Sequence, residues 1–193
     1  MSFWGSLFGQ GKSRDLKEIA LELAARMDSE RSEWCDACAR KLTEARPPSL
    51  SGTPRPSVSP VEDGLLEVEI MVKAFQLVHA LSFAHARSYV KDIGAFTRLL
   101  CQEVCGDQLK ECTPWMQRYT EAKMKYRGEH FPEQFIVFSD DVALTASRGG
   151  SLLAGPIIDS TVIEFWRRNL RITALTFRDK KTSDELRLIP PKE

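Results

Sequence analysis

The chain has 193 residues, 42% hydrophobic and 28% charged, the size and balance of one globular domain or of a domain with an appended arm. Its 27 Lys and Arg equal its 27 Asp and Glu, so no global field draws it to nucleic acid or to an acidic lipid surface. Five cysteines, an odd number, with no charged-then-apolar leader, point to free thiols in a reducing cytoplasm rather than to a disulfide framework. No run of roughly 18 apolar residues reads as a membrane span.

Residues 1–12 form an apolar head. Phe3, Trp4, Leu7 and Phe8 would share one helical face, which suits a peripheral membrane contact or a docking peptide. The segment is short, contains Gly5 and Gly9, and has no cation before Lys12, so a terminus packed loosely on its own body is preferred over a membrane role. A long helix is expected from Ser13, read as its N-cap, with Asp15 in the first turn. Leu16, Ile19, Ala20, Leu23, Met27, Trp34, Cys38 and Leu42 make its apolar seam. Glu18, Glu22, Arg26, Glu30, Arg31 and Glu33 make its polar side, and Glu30 interrupts a strict heptad. Pro47 stops the helix near Arg46.

The stretch 47–60 holds five prolines and four serines interspersed with small residues. Proline removes a donor and fixes φ, so this segment reads as an extended tether. Three units follow: 1–46, an apolar head and helical arm; 47–60, the linker; and 61–193, a helical body.

In the body, Leu66, Ile70, Met71, Ala74, Leu77, Val78 and Leu81 repeat at three and four, a strong helix. Tyr89, Val90, Ile93, Phe96, Leu100 and Val104 continue the pattern after a break placed near Ser82 to His85, and Gly106 reads as a C-terminal cap. Thr113-Pro114 reads as a helix start, with Trp115, Met116, Tyr119, Ala122 and Tyr126 on one side and Gly128 at the end. Phe131, Phe135, Phe138 and Val142 fit a helix, but Phe135 to Phe138 fits a buried strand equally well. Arg148-Gly-Gly-Ser and Ala154-Gly-Pro156 are turn chemistry, and a helix is expected from about Ser160. Residues 170–177 are rich in β-formers, and with 185–189 they favour a short hairpin slightly over a continued helix. The fold class is therefore mainly α: a helical bundle with a long N-terminal helix on a Pro-rich tether and a short C-terminal β-hairpin as an option.

No catalytic residue can be named. Cys35-Asp-Ala-Cys38 has zinc-knuckle spacing, and Cys101, Cys105 and Cys112 lie near one another in sequence. The first pair sits within a helical pattern without the turn glycines of a knuckle, so structural thiols are preferred, with no metal and no cofactor. A redox pair is the weaker alternative. His79 and His85 are six apart, a poor spacing for one helix face. Asp140-Asp141 reads as a cap or loop. No nucleophile elbow or phosphate-binding glycine loop occurs. Arg167, Arg168 and Arg171 form a helical stripe beside Trp166 that could hold a phosphate or an acidic partner; neighbouring acids make a solvated, ion-paired face the preferred reading and nucleic-acid binding an unlikely one.

One helix cannot bury its own seam. The leading expectation is an interaction or scaffold protein that docks helix-in-groove on a partner or a second copy, with Leu16, Leu23, Met27 and Trp34 as anchors. The same arm could instead fold back onto its own body. The alternative function is a small-ligand or metal-binding helical protein, an enzyme among the options, with a pocket lined by Trp115, Tyr119, Phe135 and Trp166 and with His79, His85 or the cysteines as its polar groups.

Overall fold

The computed structural model describes residues 15–44, 60–125, 133–148, 154–179 and 181–182. Among these residues the chain is mainly helical and has no strand. Six α-helices follow in order: α1 (Leu16–Glu44), α2 (Pro60–Ala86), α3 (Ile93–Cys105), α4 (Leu109–Lys125), α5 (Glu133–Arg148) and α6 (Ala154–Thr176), with a 3-10 turn at Gly106–Gln108 between α3 and α4. The apolar head and residues 47–59 of the proposed tether lie outside the described residues, as do Tyr126, Gly128, Phe131 and the expected return strand at 185–189.

Helix α1 starts two residues later than Ser13 suggests. The Asp15 carbonyl accepts from the Ile19 amide at 3.1 Å, and its carboxylate lies 3.3 Å from the Lys17 amide, so Asp15 supplies the cap. Proline at position 60 opens α2, where its missing N–H is one of the helix's unpaired donors in any case. Asp92 caps α3 by accepting from the Ala95 amide at 2.8 Å. That places the break between α2 and α3 at residues 87–92, slightly later than the pattern suggests. Gly106 ends α3 with φ +51°, a conformation that favours glycine.

The expected start at Thr113-Pro114 is wrong. Helix α4 begins at Leu109, and Pro114 lies inside it. Thr113 does not cap forward: its hydroxyl donates back to the Leu109 carbonyl at 2.6 Å. Ala154-Gly-Pro156 is likewise not a turn but the opening of α6, where proline again removes only a donor that has no partner within the helix. Residues 135–147 are helical, and the strand reading of 170–176 is overturned: α6 runs through to Thr176. Thr173 and Thr176 are held in the helix by hydroxyl bonds to the carbonyls of Asn169 and Ile172, both 2.8 Å.

Two apolar clusters form the core. One gathers Trp34, Val72, Phe75, Tyr119, Phe138, Val142, Val162 and Phe165 from α1, α2, α4, α5 and α6. Phe75 and Phe138 stack at 4.2 Å, and Tyr119 meets Phe138 edge-on at 5.8 Å. The other gathers Ala20, Leu23, Met27, Leu77, Phe96, Leu100, Cys105 and Cys112 with other residues of α1 to α4 and α6. Helix α2 serves both, and every residue from 71 to 80 is buried. Near the join, the Gln76 amide donates to the Met27 carbonyl at 3.0 Å and to Asn169 Oδ1 at 2.7 Å, tying α1, α2 and α6 together.

Helices α2 and α6 end in the same way. Ser88 and Arg178 have φ of 52° and 56°. Tyr89 N donates to Ala84 O and Ser88 N to His85 O; Asp179 N donates to Ala174 O and Arg178 N to Leu175 O. Both are Schellman motifs built without glycine. The two ends meet: Tyr89 stacks on Phe177 at 5.4 Å, and Arg87 Nη1 reaches Asp179 Oδ2 at 2.5 Å while its guanidinium covers Phe83.

Candidate functional site

The seam of α1 faces the chain's own body. Leu23 and Met27 are buried against α2, α3 and α6, and Leu16 packs at the edge of that cluster. Trp34 is buried against Phe165 at 4.8 Å, and its indole N–H donates to Thr161 Oγ1 at 3.2 Å. These four anchors therefore make intramolecular contacts, the fold-back arrangement that the sequence allowed. Leu23, Met27 and Trp34 bury their apolar surface in this way, and Leu16 is half-buried.

What α1 leaves open is its opposite flank. A groove of about 360 Å³ runs between α1 and α3, lined by Leu21, Ala24, Ala25 and Val104, with Asp28, Arg31 and Glu103 among its walls. Leu21 is 43% exposed. The groove is apolar along its floor and carries two carboxylates on its rim.

Arg31 belongs to the helix side read as polar, yet its side chain is only 8% exposed. It pairs with Asp28 and lies 3.6 Å from Glu69, which also binds Lys73 at 3.0 Å. Lys73 in turn donates to Gln108 Oε1 at 2.5 Å. This network links α1 and α2 to the turn before α4. Arg31 Nη1 is buried with no partner among the described residues. The sequence signal for the network was thin: Arg31 is distant in sequence from Glu69 and Lys73, and only the local spacings of Asp28 with Arg31 and of Glu69 with Lys73 hint at it.

The arginine stripe is engaged by acids. Arg168 binds Glu164 at 2.8 Å and Glu33 at 2.9 Å, and lies 3.8 Å from Glu30, clasping α6 to α1. Burial raises the Glu30 carboxyl above its ordinary range, against the pull of Arg168 and a smaller one from Arg171. Arg171 is exposed and Arg167 half-buried. The carboxylates around Arg168 oppose a second anion there.

Of the four rings that the sequence suggested for a pocket, Trp115, Tyr119 and Trp166 are among the described side chains. Tyr119 is fully buried among Phe75, Phe138 and Trp115, and Trp115 and Trp166 pack against the same cluster. Burial, then the nearby Asp141 carboxylate, push the Tyr119 phenol up. The side chain of Phe135 lies outside what is described. His79 is buried beside Phe75, whereas His85 is exposed at the end of α2. Asp141 is neither cap nor loop: it sits inside α5 and takes a two-pronged bond from Arg118 at 2.6 and 2.7 Å.

All five cysteines are free. Burial pushes Cys35 up to about 12 and Cys38 up to about 11, so both are thiols at neutral pH. Among the described residues no group of three or more His, Cys, Asp or Glu is arranged to hold a metal ion. None of the described helices is long and apolar enough to cross a membrane. No protein-family model, curated protein or solved structure matches the chain.

Proposed function

We propose that the chain is a non-catalytic helical interaction protein of the cytoplasm, and that it associates with a second copy of itself through the groove between α1 and α3. The observation that carries the reading is the groove itself, where half-exposed Leu21 stands beside Ala24 and Ala25. Small residues let a second helix approach closely, and a protruding leucine supplies the apolar area to bury there. Equal numbers of acids and bases leave no net charge to hold two copies apart. Five free thiols suit a reducing compartment. The anchors foreseen on the seam of α1 build the chain's own core, so its association surface is the other flank of the same helix.

Light scattering of the full chain from micromolar to several hundred micromolar tests this. The expected result is a mass rising from 21.8 kDa toward twice that value. Leu21→Lys, a change at an exposed position, is expected to keep the mass at the monomer value with an unchanged circular dichroism spectrum. A wild-type chain that stays monomeric over the whole range sinks the proposal.

A further inference from the structure

Residues 1–12 carry four large apolar side chains, Phe3, Trp4, Leu7 and Phe8, and no acid. Leaving such side chains in water is unfavourable, and the seam of α1 is already covered by the body. The groove between α1 and α3 is an apolar surface within their reach. Seven residues, Gly9 to Asp15, join Phe8 to Leu16, the first residue of α1, and they span at most about 25 Å. Leu21 and Asp28 lie about 8 and about 18 Å along α1 from Leu16. A chain that turns back at Gly9 and Gly11, where glycine admits either sign of φ, brings Phe8 to this part of the groove.

The groove suits such an occupant. Ala24, Ala25 and Val104 form its floor, and they are small enough to leave about 360 Å³ above them. Leu21, 43% exposed, stands at the end nearer the start of α1. Trp4, Leu7 and Phe8 are spaced i, i+3 and i+4, so one helical turn would present all three to that floor. Asp28 and Glu103 put exposed carboxylates on the rim. The head brings no like charge to them, and the first charge after it is the cation Lys12. A segment joined this closely to its site acts at an effective concentration on the order of millimolar, well above that of a second copy at micromolar concentration.

We infer that the apolar head folds back into the α1–α3 groove of its own chain and covers the association surface until a second copy displaces it. The regulatory half of this inference rests on the self-association proposed above; the docking of the head does not. A head that covers about nine grooves in ten weakens association about tenfold for each groove that must open.

The test puts p-benzoylphenylalanine in place of Phe8 in the full chain and maps its photocross-links by mass spectrometry. Isotopically heavy and light chains are mixed at low micromolar concentration. The expected links join this position to residues 21–28 of α1 or 103–104 of α3 within one chain. Links between heavy and light chains place the head on a second copy, and links elsewhere on the body place it on another surface; either overturns the docking. An absence of links overturns it too, and sedimentation of that chain with phosphatidylserine vesicles would assign the head to a lipid surface instead. Trp4→Ser combined with Phe8→Ser tests the regulation by light scattering. The apparent Kd for self-association is expected to fall about tenfold or more, and an unchanged Kd overturns the regulatory role. Intrachain links in a chain that stays monomeric at every concentration uphold the docked head and sink the self-association reading, with the regulatory role that depends on it.

Discussion

The most exacting test of this packing is the amide bridge at the junction of the two clusters. Gln76 is fully buried, and two acceptors, Met27 O at 3.0 Å and Asn169 Oδ1 at 2.7 Å, converge on its amide nitrogen. That convergence fixes which way the amide faces and leaves Gln76 Oε1 buried with no partner among the described residues. Gln76→Leu keeps most of the volume. It removes the unpaired Oε1, which favours the variant, and strands Asn169 Oδ1, which costs about 1–3 kcal/mol. Met27 O, a helix carbonyl, keeps its second lone pair's partner within α1. The expected net loss is about 1–2 kcal/mol, or roughly 2–8 °C in Tm for a chain of this size. Asn169→Leu alone removes one of the two acceptors of the Gln76 amide, leaving Met27 O as the other, and is expected to cost a similar amount. The double variant removes both polar ends together, so its loss is expected to be smaller than the sum of the singles by about 1–2 kcal/mol. Urea titrations of the four proteins, followed by tryptophan fluorescence, give the cycle directly. Additive losses would show that the two side chains do not meet and would refute the junction described above.

Three other predictions address separate parts of the fold. Ser88→Gly relieves a left-handed serine at the end of α2 and is expected to stabilise the chain by about 1 kcal/mol, seen as a rise in Tm; a fall would mean that Ser88 is not left-handed. Trp34→Ala empties a buried site in the aromatic cluster and removes the indole bond to Thr161, with an expected loss of about 3–5 kcal/mol in chemical unfolding. Asp179 predicts a pH response: burial pushes its carboxyl up, but the Thr182 amide and hydroxyl, the Tyr89 hydroxyl and Arg87 outweigh it and hold it below its ordinary value. A depressed carboxyl contributes stability that is present above its unfolded pKa of about 3.9 and is lost as pH falls through the lower folded value. Acid titration of the wild type should lose that increment below about pH 4, and Asp179→Asn should lose it at neutral pH and flatten this part of the profile.

The apolar periodicity of α1, α2 and α3 was plain because one stripe of each helix is made of large side chains. What periodicity could not show is that residues 71–80 of α2 are buried all round: Lys73, Gln76 and His79 look like its wet side, yet all three are covered, with the 3-10 turn before α4 meeting Lys73 and α1 and α6 meeting Gln76. The β-rich tail of α6 misled for a related reason. Its threonines bond back to carbonyls of their own helix, so tertiary burial and back-bonding override a modest propensity. The ends of α2 and α6 carry no glycine, so their caps had no residue signature. The groove was illegible because small residues and one leucine off the main seam define it.

Helix α2 has a consequence for how the chain comes into being. It leaves the ribosome after α1 but before α3, α4, α5 and α6, the helices that cover most of it. Until they follow, residues 71–80, all buried in the finished fold, have only α1 to shelter them. During synthesis this segment is therefore the natural target for a holding chaperone, and slow translation just beyond it lengthens the interval in which it can aggregate.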